Sequence, residues 1–236
     1  MSRYLDLHVI PQVEDQNSCE RMAELLNTAG YSTIGLTVPT GLLNERVKSL
    51  QNLFQQHGVD TALRVDFNPP SRTELLRLLR RFRDRYDIIA IRCVNQRVAT
   101  VACRDRRVDV IFFDPVNPNL RFTHTFARLL RGAVEFNVMS DLLPQADSWA
   151  FSRVRRALAV AREHGDKIVL ASGARNREMI RSPFQISAFA TTLGLPTEEA
   201  IRGVSSAPES IVAENREKRA PHYVEEGVKI VVRSGR

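Results

Sequence analysis

Lys167 to Pro183 reads KIVLASGARNREMIRSP, and the change of character at its centre decides what kind of fold the chain adopts. Lys167-Ile168-Val169-Leu170-Ala171 is a short apolar run without alternation, the signature of a strand buried on both faces of a parallel sheet. At Ser172-Gly173-Ala174 the apolar run stops, and glycine permits a sharp turn. Arg175, Arg177 and Arg181 follow before a new element opens. Ser182-Pro183-Phe184-Gln185 then carries a serine N-cap, a proline at the first helical position and a glutamine three residues after the cap, a predicted capping box. The helix that follows is expected to bury Ile186, Phe189, Ala190 and Leu193 and to stop at Gly194. A strand end, an arginine-rich loop and a helix N-terminus would thus meet in one place, and all three favour a phosphate.

The same strand-then-helix unit recurs toward the N-terminus. Strands are predicted at Tyr4 to Ile10, Ser32 to Val38, Thr61 to Phe67, Asp87 to Arg92, Val108 to Phe113 and Ala133 to Val138. Helices are predicted between them near Asp15 to Ala29, with Met22, Leu25 and Leu26 inward, and at Leu43 to His57, Ser71 to Arg85, Val98 to Cys103, Arg121 to Arg131 and Phe151 to His164. Ser71 with Glu74 reads as a second capping box, and Arg77, Arg80, Arg81, Arg83 and Arg85 are expected to face outward from that helix. Asp114 to Asn119 and the stretch around Pro144 read as loops. Beyond Leu195, Thr197 is expected to cap one helix, and Ser206 with Glu209 another reaching Lys218. Seven strands each followed by a helix imply right-handed crossovers and a parallel sheet, and the unbroken order suggests closure into a TIM-barrel-like α/β fold with an eighth strand missing or displaced. Residues 1–219 would form one such barrel with extra C-terminal helices, and 220–236 a tail with a candidate last strand at Val228 to Val232. The functional face of such a barrel is the C-terminal end of its strands. There Asp6, His8, Thr37 to Gly41, Asp66 to Pro70, Arg92, Asp114, Asn137 and Ser172 to Arg181 are expected to converge.

Composition bounds the function. The 236 residues carry 34 Lys plus Arg against 27 Asp plus Glu, a formal charge of +7 with four lysines among the basic residues. A pI of about 9.8 marks a partner for polyanions, and arginine suits bidentate contact with phosphate. A genomic bias toward G and C would enrich arginine without any functional cause. The longest apolar runs are strand-sized and the first residues enter a strand without a signal-peptide core, so an intracellular, cytoplasmic protein without a membrane partner is expected. Cys19, Cys93 and Cys103 are odd in number and widely spaced, arguing for reduced thiols rather than a disulfide framework or a metal knuckle.

Asp6-Leu7-His8 is expected to place two candidate metal ligands on one face of the first strand, a dipeptide pattern similar to that of metal-dependent phosphoesterase barrels. The inventory opposes a metal cluster. Of five histidines, His57 and His164 end helices and His222 lies in the tail, leaving His8 and His124 near plausible loops. No Gly-x-Ser-x-Gly elbow, Walker loop or dinucleotide fingerprint is present. Arg121, His124 and Arg128 are spaced to share one helix face, either a solvated surface or a patch for phosphate and a ribose or base edge.

Tyr4-Leu5-Asp6-Leu7-His8, Val108-Asp109-Val110-Ile111, Arg121-x-x-His124-x-x-x-Arg128-Leu129, Val134-Glu135-Phe136-Asn137-Val138, Ala171-Ser172-Gly173-Ala174 and Ile180-Arg181-Ser182-Pro183 occur in this order from Tyr4 to about Arg219. The ordered set resembles the archaeal ribonuclease P protein component 3 family and the related barrel subunit of eukaryotic ribonucleases P and MRP. The resemblance implies a seven-stranded barrel akin to PHP phosphoesterases that has lost its metal site, with Asp6 and His8 as vestiges. It implies an endoribonuclease subunit that binds the catalytic RNA and supports removal of the 5′ leader of precursor tRNA. Catalysis would lie with the RNA and its Mg²⁺ ions, and the protein itself would bind no cofactor and touch precursor tRNA only indirectly. Protein component 2 is the implied partner, a heterotetramer being one arrangement. Carried over by motif, Arg121, His124 and Arg181 are candidate RNA contacts, and position and charge add Arg92, Arg128, Arg175 and Arg177. The chain departs from the family where it has Ala99-Thr100-Val101-Ala102-Cys103-Arg104 and Met139. A metal-dependent phosphoesterase on the same barrel, and a basic scaffold for another RNA assembly, are the alternatives.

Overall fold

The computed structural model describes residues 3–42, 44–115, 117, 119–142, 148–219, 223–225 and 228–229. Strands β1 (Tyr4–Val9), β2 (Tyr31–Thr37), β3 (Asp60–Phe67), β4 (Ile88–Cys93), β5 (Val110–Phe113), β6 (Ala133–Asn137) and β7 (Lys167–Ala171) lie side by side in chain order, all parallel. Helices α1 (Gln16–Thr28), α2 (Asn44–Gln56), α3 (Arg72–Phe82), α4 (Gln96–Arg104), α5 (His124–Ala127) and α6 (Ser148–His164) occupy the intervening crossovers. Then come α7 (Pro183–Thr192), α8 (Thr197–Gly203) and α9 (Ser206–Lys218). The strands read as apolar because both faces are covered. Ile34, Leu36, Ile89, Ile91, Ile111, Val134, Ile168 and Leu170 pack outward under the helices, while Leu5, Leu7, Ala62, Ile88, Ala90, Val110, Ala133 and Val169 fill the interior.

The ring closes in an unusual way. Near the C-terminal ends of the strands Val9 bridges Ala174, and the Ile10 amide donates to the Ala174 carbonyl at 2.8 Å. Midway, the Asp6 carboxylate accepts the Ser172 amide at 3.1 Å. At the N-terminal end the Leu5 amide donates instead to the carbonyl of Val204, between α8 and α9, at 2.9 Å. The α8–α9 junction therefore satisfies a backbone donor that an eighth strand would otherwise pair. Helix α9 then seals that end. Ile211 and Val212 enter the interior cluster, and Asn215, Arg216 and Arg219 bind Asp109, Asp60 and Asp87, each at or just before the start of a strand. A separate antiparallel pair, β8 (Tyr223–Glu225) with β9 (Val228–Lys229), forms its own two-stranded sheet. Of the candidate last strand, only Val228 and Lys229 are among the described residues; the stretch around Pro144 and His222 lie outside them.

Local expectations fare unevenly. Ser182 and Gln185 form the full capping box, with Pro183 in the first turn. Ser71 caps α3 by accepting the Glu74 amide, but the Glu74 carboxylate binds Arg77 instead of completing the box. Arg83 turns inward from the outward row, because Asp109 (2.5 Å) and the carbonyls of Arg107, Tyr86 and Asp87 together engage both of its terminal nitrogens. Leu25 is 40% exposed rather than inward. The caps expected at Thr197 and Ser206 fall one residue earlier, at Pro196 and Ser205, and neither makes a side-chain capping bond. The helix expected over Arg121 to Arg131 shrinks to His124–Ala127, since Thr123 is extended and Arg131 is drawn off to donate to the Cys103 carbonyl.

Candidate nucleic-acid interface

Asp6 and His8 do not share a face. Between Asp6 and Val9 the β1–β2 pairing slips, three residues of β1 being spanned by two of β2 (Ile34 to Leu36), and this bulge breaks the alternation so that Leu7 and His8 both turn inward. Asp6 stays at the β1–β7 seam, its Oδ1 accepting the amides of His8 and Ser172 at 3.1 Å each. Burial raises its carboxyl above the ordinary range. Gly35 of β2 lies so close to the bulge that a Cβ there would collide with the Leu7 carbonyl.

His8 enters a cluster that fills the C-terminal mouth of the barrel. Its Nε2 lies 2.8 Å from Asp66, and its Nδ1 lies 2.8 Å from the Asn137 amide oxygen and 3.2 Å from Glu135. At the centre sits Arg64, fully buried on β3. Its Nε donates to Asp66 at 2.7 Å, its Nη1 to Glu135 at 2.5 Å and to the Leu7 carbonyl at 2.7 Å, and its Nη2 to the other Glu135 oxygen at 2.8 Å. Burial disfavours every charge here, yet each ion holds its opposite. Despite burial and the neighbouring Arg64, Asp66 and Glu135 push the His8 imidazole up to about 10. Against burial, Arg64 and His8 bring Glu135 down to about 2 and hold Asp66 well below the carboxylate range. Four side chains of alternating sign therefore close on themselves. A metal ion in this mouth would have to displace the guanidinium that already bridges both carboxylates. Among the described residues, no group of three or more His, Cys, Asp or Glu side chains is placed to hold one.

The seven candidate RNA-contact residues are dispersed around this closed centre. Arg92 stands at the mouth, paired with Asp114 at 3.1 Å. Arg121 precedes α5 instead of lying on it, and lines a pocket between β5, β6 and α6. His124 faces the opposite end of α6, its ring 5.3 Å from that of His164, and Arg128 is the exposed C-cap of α5. The common face expected of Arg121, His124 and Arg128 is therefore not formed. Arg175 is exposed beside the mouth, and the exposed Arg177 pairs with Glu178 at 2.8 Å. Arg181 is carried away. After Ala174 the chain runs back along the outside of β1 and β2, so the Arg181 carbonyl accepts from the Tyr31 hydroxyl at 2.8 Å and Phe184 packs on Tyr4 at 5.3 Å, both at strand beginnings. Its guanidinium folds onto the carbonyls of Glu178 and Ile180. Strand end, arginine loop and helix N-terminus, expected together, are thus separated along the flank of the barrel. Sequence reading did not assign Arg64 or Glu135 to the mouth; for both the signal was a charge at an inward position of an otherwise apolar strand.

The chain matches the model of the family described as RNase P subunit p30 over residues 3–220. It is 27% identical to ribonuclease P protein component 3 of Methanosarcina barkeri over 233 residues, covering 95% of this chain and 93% of the relative. It is 26% identical to the component 3 of Methanothermobacter thermautotrophicus over 249 residues, covering 99% and 98%. In fold it is similar to a chain in the cryo-EM structure of archaeal ribonuclease P with mature tRNA, with a TM-score of 0.80, 19% identity, and coverage of 98% of this chain and all of that one. With the family model spanning the whole barrel and α9, the chain belongs to the RNase P subunit p30 family.

Proposed function

We propose that the chain serves ribonuclease P as an RNA-binding subunit that grips the catalytic RNA and leaves cleavage of precursor tRNA to that RNA and its Mg²⁺ ions. The observation that carries this reading is the mouth of the barrel. Where a barrel hydrolase keeps an open position for metal or water, Arg64 bridges Asp66 and Glu135 with His8 alongside, leaving no uncommitted ligand for a reacting atom. The net charge of +7 then serves binding, since arginines on the surface attract phosphate at long range and dock it bidentately. Arg92, Arg121, His124, Arg128, Arg175, Arg177 and Arg181 are the contacts proposed, acting from several sides and not as one patch. Component 2 is the proposed protein partner, with a heterotetramer as one arrangement, and precursor tRNA is reached indirectly in the cytoplasm. Among the described residues no helix is long and apolar enough to cross a membrane.

Reconstitution tests this. Ribonuclease P RNA should cleave precursor tRNA at lower Mg²⁺ when this chain and component 2 are both added than with either alone, and the chain alone should leave phosphoesters intact. Phosphoester hydrolysis by the isolated chain that is lost with EDTA would replace the subunit reading with the phosphoesterase one.

A further inference from the structure

The net charge is not spread evenly over the molecule. From Arg72, where α3 begins, to Asp109, just ahead of β5, the sequence holds eleven arginines and no lysine against five carboxylates, +6 of the chain's +7, while the rest balances 23 basic residues with 22 acidic ones. A compositional bias toward arginine would enrich every face alike. The excess is displayed by two helices that lie side by side on the flank of the barrel. Asn95, the N-cap of α4, donates to the Pro70 carbonyl ahead of α3 at 3.1 Å, and Arg83 ties the far end of α3 to Asp109. Between the helices runs an open groove of about 410 Å³, lined by Arg72 and Leu76 of α3, by Thr100, Val101 and Arg104 of α4, and by Asp105. Arg80 lies one turn beyond Leu76 on α3, and Arg97 one turn before Val101 on α4. Four of the five carboxylates are committed, Glu74 to Arg77, Asp87 to Arg219, Asp105 to Arg107 and Asp109 to Arg83. Arg72, Arg80, Arg97, Arg104 and Arg106, by contrast, are exposed and make no hydrogen bond or ion pair with any described residue.

We propose that the α3–α4 face grips the phosphate backbone of double-helical RNA, with Arg72 and Arg80 on one helix and Arg97 and Arg104 on the other. Unpaired like charge gathered on one face disfavours the compact state, and a polyanion relieves it. Arg72 and Arg80 stand about 12 Å apart along α3 and Arg97 and Arg104 about 10 Å apart along α4, a spacing that serves several phosphates of one polymer better than a single small phosphate ligand. Recognition of a single strand relies on aromatic platforms for its bases, and recognition of a protein on apolar anchors. This face supplies neither. The large apolar side chains of α3 and α4 are buried or half-buried, and the exposed ones among the described residues, Leu25, Trp149 and Phe184, belong to α1, α6 and α7. Duplex RNA needs contacts to its backbone alone, which arginine forks supply without reading sequence. The inference rests on the RNA-binding reading and deepens it, since none of these four arginines is among the contacts proposed above.

Anisotropy of a dye-labelled twenty-base-pair RNA duplex, titrated with the full-length chain across salt concentrations, tests this. Arg72→Gln with Arg104→Gln should weaken duplex binding and lower the salt slope by about two, one for each lost phosphate contact, and Arg80→Gln with Arg97→Gln should do the same. Arg21→Gln with Lys48→Gln removes equal charge from exposed positions on α1 and α2 and should leave the slope unchanged. Every one of these positions is exposed, so urea unfolding should find no variant less stable than the parent. Duplex binding unaltered by both arginine pairs, or a slope lowered equally by the α1 and α2 control, would overturn the face and leave the RNA-binding reading standing. So would binding of ribonuclease P RNA without binding of the duplex; failure to bind either RNA would remove both. Loss of component 2 binding with duplex binding intact would also overturn the inference, assigning the face to a protein partner.

Discussion

Replacing Arg64 by leucine removes the cation on which the barrel mouth is built. The variant keeps a similar apolar volume but leaves Glu135, whose side chain is wholly buried, and Asp66, whose side chain keeps 23% exposure, facing one another with His8 as the remaining cation. Glu135 also loses two charge-assisted hydrogen bonds from the guanidinium. Breaking a buried pair by deleting one partner costs about 3–5 kcal/mol. The Glu135 carboxyl is held down to about 2 by Arg64 and His8 against burial, so losing Arg64 removes the larger of its two cationic partners. The pH dependence separates this cause from simple mispacking. In the parent, Glu135 has its proton affinity depressed by folding, so its contribution is present above 4.5 and is lost as pH falls toward 2. Without Arg64, burial should raise the Glu135 carboxyl above its unfolded value, so the variant gains stability relative to the parent as pH falls from 7 toward 5. Urea unfolding at several pH values measures the difference. A loss under about 1 kcal/mol at pH 7, or a loss of the same size at pH 5 and 7, would show that the guanidinium is not the ion that neutralises Glu135. Arg64→Leu with Glu135→Gln should recover part of the deficit, since no unpaired charge then remains.

Leu170→Ala should destabilise the fold by about 2–5 kcal/mol in urea unfolding, because Leu170 is 1% exposed and packs against the backbone of Gly203, so α8 cannot collapse far into the gap; an unaltered midpoint would misplace β7. Asp166 has one buried oxygen without a hydrogen-bond partner, and burial pushes its carboxyl up to about 6. Its protonated form is thus favoured by folding, and stability should fall as pH rises from about 4 through 6. Because the group is partly solvated, Asp166→Asn should gain no more than about 1 kcal/mol at pH 7 and flatten that slope; a slope identical to the parent's would clear Asp166. Arg181→Ala should weaken binding to ribonuclease P RNA by about 1–2 kcal/mol and lower the salt slope by roughly one, read from filter binding across salt concentrations. An unchanged slope would remove Arg181 from the interface.

The barrel was legible in the sequence because its strands are buried on both faces, so runs such as Ile168 to Ala171 carry the hydrophobicity themselves, and because Ser182 and Gln185 mark a helix start through bonds local to one turn. Helix boundaries failed where a long-range partner decided the outcome. Arg83 has the spacing of a solvated row but finds Asp109, 26 residues away. The positions of the arginines were less legible still. Arg175, Arg177 and Arg181 follow a strand end, which placed all three at the mouth by the rule for βα loops, whereas beyond Ala174 the chain runs back down the flank and carries Arg181 away. Spacing along the chain cannot report that turn of direction, which is set by the Tyr31 hydroxyl 150 residues away.

Asp6-Leu7-His8 and Arg64 together account for the closed, self-paired mouth of the barrel. The bulge in β1 divides the motif: Asp6 goes to the seam, where it ties the first strand to the last, and His8 goes to the mouth, where it is charged and paired. A histidine that keeps its proton up to about 10 offers no lone pair to a metal at neutral pH, and two carboxylates bridged by a guanidinium offer no open coordination position. The same four side chains that would disable hydrolysis bind β1, β3 and β6 to one another across the interior. Because that cluster is internally neutral, the mouth attracts no phosphate on its own account. On the reading proposed above, attraction would fall instead to arginines on loops and helices outside the ring, such as the exposed Arg121 and Arg175.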